Sequence, residues 1–170
     1  MSQLVWRIAT DTKDYEAHDL SGKGAEITGG RWNDVGVPMV YAAENRALAC
    51  LETFVHLNAG RLPLNRYLVE IEIPDDIWSA APIQTPGTLE VGWDAAPAGR
   101  VSIRFGSAWA RDKTSALLRI PSAVIAEEAN LLINPLHPDS RRITARKVRK
   151  WLYDPRLVMA AAIPRAARPS

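Results

Sequence analysis

The chain has 170 residues, 47% of them hydrophobic, with 21 Lys and Arg against 19 Asp and Glu and a single cysteine. At this length a folded chain buries roughly 70% of the surface its unfolded form exposes, so one domain can build a core without a metal or disulfide staple. Lone Cys50 excludes an internal disulfide, and no Cys/His spacing fits zinc. No apolar run has the shape of a signal peptide or approaches the ~18 uncharged residues of a membrane span. The expectation is a cytoplasmic protein with no metal and no membrane contact.

Taken in order, the first β-type run is Leu4 to Ile8. The segment ITGGRWND at 27–34 then joins Gly29 and Gly30 to Arg31, Trp32 and Asn33, ahead of a second run at Val37 to Ala42. Two glycines allow close backbone approach. An Arg beside such a turn can clamp a phosphate through paired charge-assisted hydrogen bonds, and an indole can cover a ring or a cation. The same residues read equally as a turn with Arg31 salt-bridged and Trp32 in the core. Neither G-x-G-x-x-G nor G-x-x-x-x-G-K-[ST] occurs, which removes dehydrogenase-like and kinase-like readings.

The strongest helix signal spans Glu44 to Leu57. At 100° per residue, Ala47, Leu48, Leu51, Phe54 and Val55 share an apolar arc, and Asn45, Glu52 and His56 fall within about 40° of one another on its border. A carboxylate at such a border is either paired with an Arg or set in a cleft where a substrate reaches it. Cys50 lies off that stripe and reads as an inert thiol. Past the helix come a run at Tyr67 to Ile73 and a loop over 80–100, marked by Pro82, Pro86 and Pro97 with Gly87, Gly92 and Gly99. A helix is expected over Ser107 to Lys113, with Ser107 as N-cap after Gly106. Short strands are expected at Leu117 to Ile120, Val124 to Ala126 and Leu131 to Ile133.

The run RRITARKVRK at 141–150 carries six basic residues and leaves the rest of the chain net acidic. Ile143, Val148 and Trp151 interleave with the charges as in an amphipathic element, so a solvated face is the plain reading and a nucleic-acid contact the alternative. The last residues, 161–170, read as a mobile basic tail to a domain over 1–160. Strands and helices that do not alternate regularly imply an α+β fold, a mixed or antiparallel sheet with flanking helices.

Three motifs in order, DLSGKGAEITGGRWND, VPMVYAAENRALACLETFVHL and SALLRIPSAVIAEEANLLINPLHPD, resemble the RES-domain toxins of RES–Xre type II toxin–antitoxin systems. The likeness runs from about Trp6 to Leu157, and the Arg, Glu and Ser that name the family fall on Arg31, Glu52 and Ser122, with Tyr41 at the aromatic position between the first two. The resemblance implies a compact single domain like the ADP-ribosyltransferases and an enzyme that cleaves the nicotinamide–ribose bond of NAD+ as glycohydrolase or phosphorylase. NAD+ is then a substrate, and no cofactor is required. Transfer of ADP-ribose to a protein is the alternative. It also implies growth arrest, a cognate Xre-type antitoxin, a homodimer, and contact with DNA only through that antitoxin. Arg31, Tyr41 and Glu52 become the catalytic set, and Ser122, Trp32, Asn33 and Asn130 the substrate-binding set, while the roles of His56 and of the basic run stay open.

Overall fold

A computed structural model describes residues 1–57 and 62–157. Elements follow in the order β1 (Ser2–Thr10), α1 (Lys23–Thr28), β2 (Val40–Ala43), α2 (Arg46–Phe54), β3 (Arg66–Pro74), α3 (Asp75–Ala80), α4 (Arg100–Arg111), β4 (Leu117–Pro121), β5 (Ala129–Ile133) and β6 (Thr144–Trp151). The six strands form one sheet in the order β4-β5-β2-β1-β3-β6. Every named pair is antiparallel, which gives the α+β class its definite form.

Both faces of β5 are covered, which is why LLI reads as a continuous apolar run, whereas in β3 the buried Val69, Ile71 and Ile73 alternate with Glu70 and Glu72. Alternate residues go to opposite faces. Val5, Ala9, Leu117, Leu131 and Ile133 enter one cluster with Ile71, Ile73 and Ile77. Their neighbours enter two separate clusters: Leu118, Ile120 and Leu132 with Trp32, Trp93 and Trp109, and Trp6 and Ile8 with Leu48, Ala49 and Leu68. Directly opposed residues of an antiparallel pair share a face. Ala43 opposes both Trp6 and Asn130, so these two clusters occupy one face with a seam between them. Strands β1 and β2 are paired at Trp6 opposite Ala43 alone, whereas β1 and β3 stay in register from Ser2 to Thr10. Beyond that single pair the strands part, and Arg7 and Ile8 face Tyr41 and Ala42 across the opening.

Several elements differ from the sequence reading. Val124 to Ala126 is a turn and not a strand, because Pro121 ends β4 and the Ser122 hydroxyl accepts hydrogen bonds from the Val124 and Ile125 amides at 3.0 and 3.1 Å. Helix α4 begins at Arg100 after Gly99, so Gly106 and Ser107 lie inside it. Gly106 is kept there by a neighbour: a Cβ would stand 2.0 Å from the Trp32 carbonyl oxygen. Helix α2 is shorter than Glu44 to Leu57 and turns a different face inward, burying Leu48 and Ala49 while Ala47 and Val55 are exposed. Glu52 therefore lies on the sheet-facing side of the helix and not at the border of its apolar arc.

The basic run is the edge strand β6 with the short 3₁₀ turn Pro138–Arg142 before it. Much of its charge is already paired: Arg142 with Asp76 at 2.7 Å, Arg146 with Glu70 at 2.7 Å, and Lys147 with Asp11 at 3.1 Å and Glu16 at 2.9 Å. Cations so occupied, on an edge strand, disfavour a groove for nucleic acid and suit protection of that edge from other strands. The expected tail over 161–170, and the last residues of the 1–160 domain, lie outside the described residues. No helix among the described residues is long and apolar enough to cross a membrane.

Candidate active site

The seam between the two apolar clusters is a cleft of about 920 Å³, from which a side chamber of about 310 Å³ opens. Tyr41, Glu52, His56 and Asn130 line both, together with Arg7 and Arg66. Arg31 lines the wide part, beside Gly29, Gly30 and the 94–98 loop.

Glu52 is held from three elements. Helix α2 starts where the Asn45 side chain caps it, accepting from the Leu48 amide at 2.8 Å and donating to Glu128 at 2.8 Å. From the turn after β4, the Ser122 hydroxyl donates to Glu52 Oε1 at 2.6 Å. Both acceptor positions of that hydroxyl are filled by the Val124 and Ile125 amides, so its one proton is directed at the carboxylate. From β5, Asn130 Nδ2 donates to the same oxygen. Oε1 is thus anchored, and Oε2 makes no hydrogen bond among the described residues. Ser122 has no exposed surface, so the structure uses it to set the carboxylate, where the sequence assigned it to a substrate oxygen. Asn130 Oδ1 is buried in the cleft wall without a partner among the described residues.

Tyr41 hangs over the same seam from β2. Its hydroxyl donates to Asn33 Oδ1 at 2.6 Å and accepts from the Trp32 amide at 3.0 Å. Burial drives the phenol pKa far above its ordinary value, against the opposing pull of the Trp32 amide and the Arg31 charge, so it stays protonated. Gly30 makes this approach possible, since a Cβ there would meet the Tyr41 hydroxyl at 2.6 Å. The ring is what Tyr41 offers to a ligand.

Arg31 follows that glycine, and its Nη1 donates to the Ala95 carbonyl at 2.9 Å and the Trp93 carbonyl at 3.3 Å. The loop over 80–100, which the sequence marked only as a surface connection, folds back to hold it. Trp93 is buried and stacks on Trp32 with ring centroids 6.2 Å apart. Trp32 itself is 3% exposed, so for this residue the core alternative is the one the structure adopts. Asn33 is 1% exposed, and its amide donates to the carbonyls of Ala25, Asp34 and Val37. Trp32 still borders the wide cleft, and both Trp32 and Asn33 support the Arg31 turn and Tyr41.

His56 is exposed on the turn after α2, one helical turn from Glu52, and borders both parts of the cleft. Burial pushes the Cys50 thiol up, away from a reactive thiolate. Two residues that the sequence reading passed over, Arg7 and Arg66, also stand in the wall. Arg7 lies within β1 and Arg66 opens β3, and each reads locally as a surface position, so only the parting of β1 from β2 reveals it.

Comparison with known proteins places the chain in a family. The chain is 67% identical over 161 residues to a protein of Sphingobium sp. (strain YBL2) named Prs ADP-ribosylating toxin, which covers 95% of this chain and 100% of that protein. It is 33% identical over 155 residues to a protein of Yersinia enterocolitica named Toxin Res, covering 91% of this chain and 99% of that one. A chain of the M. tuberculosis MbcT–MbcA toxin–antitoxin complex superposes with a TM-score of 0.65 at 19% identity, over 94% of this chain and 88% of that chain, a likeness of fold. Residues 4–155 match the RES domain, and the chain belongs to the RES-domain family.

Proposed function

We propose that this chain is the toxin of a toxin–antitoxin pair and that it cleaves the nicotinamide–ribose bond of NAD+. The observation that carries this reading is the Glu52 carboxylate, set in the cleft with Oε1 anchored by Ser122 and Asn130 and Oε2 left for a ligand. In NAD+ the leaving base is a pyridinium. When the C–N bond breaks, its electron pair goes to the ring nitrogen and neutral nicotinamide departs, so no acid is needed to protonate it. Positive charge develops on the ribose, and a fixed carboxylate stabilises it more in the transition state than in the ground state. A single carboxylate suffices here, unlike the pair of an ordinary glycosidase.

The other residues divide the substrate between them. Arg31 keeps Nε and Nη2 for a phosphate or ribose oxygen, its Nη1 being engaged by the 93–95 carbonyls. Asn130 Oδ1 accepts a ribose hydroxyl, which would settle its buried, unpartnered oxygen. The Tyr41 ring lies against the nicotinamide or ribose. Replacing Arg31 by Lys is expected to lower kcat/KM by roughly tenfold or more, because an ammonium lacks the planar fork that spans both the carbonyls and a phosphate. Unchanged KM and kcat would remove Arg31 from substrate binding.

The acceptor of the ribosyl group is water, phosphate or a protein side chain. The relative named Prs ADP-ribosylating toxin favours a protein. Purified protein given adenine-labelled NAD+ decides this: free labelled ADP-ribose marks hydrolysis, its 1-phosphate marks phosphorolysis, and label fixed on a protein marks transfer. NAD+ left intact, with phosphate and a protein acceptor supplied, would refute cleavage. Growth arrest, a cytoplasmic site of action and silencing by an Xre-type antitoxin that covers the cleft follow from the same reading. Homodimer formation belongs with it as well.

A further inference from the structure

Helix α2 carries the cleft carboxylate, yet it is only 9 residues long and its buried side chains are Leu48 and Ala49. Apolar packing on so small a base does not fix the direction of a helix axis. Polar contacts do, and those made by Asn45 and Glu52 come from one segment, 122–130. At the start of the helix, Asn45 Nδ2 donates to Glu128 Oε2 at 2.8 Å. Farther along, Glu52 Oε1 receives the Ser122 hydroxyl at 2.6 Å and Asn130 Nδ2. A separation of seven residues falls about 20° short of two turns, so Asn45 and Glu52 share one side of the helix, about 10 Å apart along its axis.

The two grips are joined to each other. The Ser122 amide donates to the Glu128 carbonyl at 2.8 Å and closes the neck of the turn, while the Glu128 amide donates to the Ile125 carbonyl at 3.0 Å inside it. The hydroxyl that directs Glu52 and the carboxylate that receives Asn45 therefore belong to one rigid turn. Glu128 is half-buried and has no ion-pair partner among the described residues, whereas Glu44 nearby takes Arg119. Asn45 meanwhile does two separable things. Its Oδ1 caps α2 through the Leu48 amide at 2.8 Å, and its Nδ2 holds Glu128. An Asp in that place would still cap the helix but could not donate to a carboxylate.

We propose that Glu128 is a positioning residue: by receiving Asn45 it fixes the tilt of α2 on the 122–130 turn and so aims the Glu52 carboxylate at the cleft. At the other end of the helix, Thr53 shares a hydrogen bond of 2.7 Å with Tyr153, so release of Asn45 leaves α2 seated but free to swing about the end that carries Glu52. A slip of about 2–3 Å on a lever of about 10 Å turns the axis by roughly 10–15°, which reaches the tolerance within which a reacting group must be held. Because Ser122 is tied to Glu128 at the neck, the same slip also moves the donor that orients Oε1. The proposal rests on the NAD+ reading only for the reaction in which the aim of Glu52 is read.

The test reverses the polarity of the link in the purified full chain. Asn45→Asp keeps the cap and sets two carboxylates against each other; Asn45→Asp combined with Glu128→Gln restores one donor and one acceptor in exchanged places. Two quantities are read: kcat and KM for NAD+ cleavage, and the side-chain amide signal of Asn130 in a ¹H–¹⁵N spectrum, which reports the hydrogen bond to Glu52 without turnover. Asn45→Asp is expected to lower kcat roughly tenfold with KM within about twofold, and to move the Asn130 signal toward that of a free amide. The double variant is expected to recover both, and Glu128→Gln alone, which still offers Asn45 an acceptor, to retain them. A merely structural contact would shift the urea midpoint without this pattern of loss and recovery. An unmoved Asn130 signal or unchanged kcat in Asn45→Asp, a double variant no better than Asn45→Asp, or a Glu128→Gln loss as large as that of Asn45→Asp would each overturn the role. Should circular dichroism show Asn45→Asp unfolded, Glu128→Ala takes its place with the same expected loss and Glu128→Gln as its rescue. A wild type that leaves NAD+ intact would end the cleavage reading alone, and the Asn130 signal then decides the positioning; cleavage with an indifferent Asn130 signal would end the positioning alone.

Discussion

Glu52→Gln is expected to lower NAD+ cleavage by roughly 10²-fold or more, the scale of removing one preorganised electrostatic stabiliser. The amide keeps the shape of the carboxylate but not its charge, so it cannot answer the cation that forms on the ribose. It also disturbs the anchor. Oε1 receives two donors, the Ser122 hydroxyl and Asn130 Nδ2, and a Gln keeps both only if its carbonyl oxygen takes that place. The NH₂ group then occupies the position of Oε2 and presents a donor where an acceptor is required. Fold is expected to survive, because Leu48 and Ala49, the buried residues of α2, are untouched. Initial rates of nicotinamide release, with far-ultraviolet circular dichroism as the folding control, check this. Turnover close to that of the wild type would take Glu52 out of the mechanism.

Gly106→Ala should damage the protein from the far side of the same site. The added methyl would stand 2.0 Å from the Trp32 carbonyl oxygen and 2.9 Å from its carbonyl carbon, and both are backbone atoms that cannot swing aside. Helix α4 or the 29–34 turn must shift. That turn is bound to α4 a second time, by the Asp34 amide donating to the Ser107 hydroxyl at 2.9 Å, so a shift strains this bond as well. A loss of about 1–3 kcal/mol of stability is expected, the usual cost of overpacking. Cleavage should fall with it, because Arg31 rides on the displaced turn. Urea denaturation measures the first effect, and steady-state kinetics well below the unfolding midpoint measures the second. A midpoint equal to that of the wild type would show that the contact between α4 and the turn is looser than the structure has it.

Both variants act on residues whose importance reads very differently in the sequence. Glu52 is visible as a carboxylate on a strongly patterned helix, and Arg31 as a cation beside two glycines. Gly106 looks instead like a helix breaker, which moved the expected start of α4 to Ser107. The true start at Arg100 has no side-chain cap to announce it. The misplaced arc on α2 has a similar origin. Summed hydrophobicity favours the side of Leu51, Phe54 and Val55, yet the protein turns Glu52 inward because Ser122 and Asn130 are there to receive it.

From the residues alone it was possible to establish the α+β class, the position of most strands, the principal helix and the ordered motifs of the RES family, since each is encoded by neighbours within a few turns of chain. The inward face of α2 depends on partners 70 and 78 residues away from Glu52. The same holds for the Arg31 clamp, whose carbonyl acceptors lie 62 and 64 residues on. The place of Arg7 and Arg66 in the cleft wall required the divergence of β1 from β2. Local periodicity reports how a segment divides between water and core, but a polar side chain is buried only where distant elements supply its hydrogen bonds, and that supply exists only once the chain has folded.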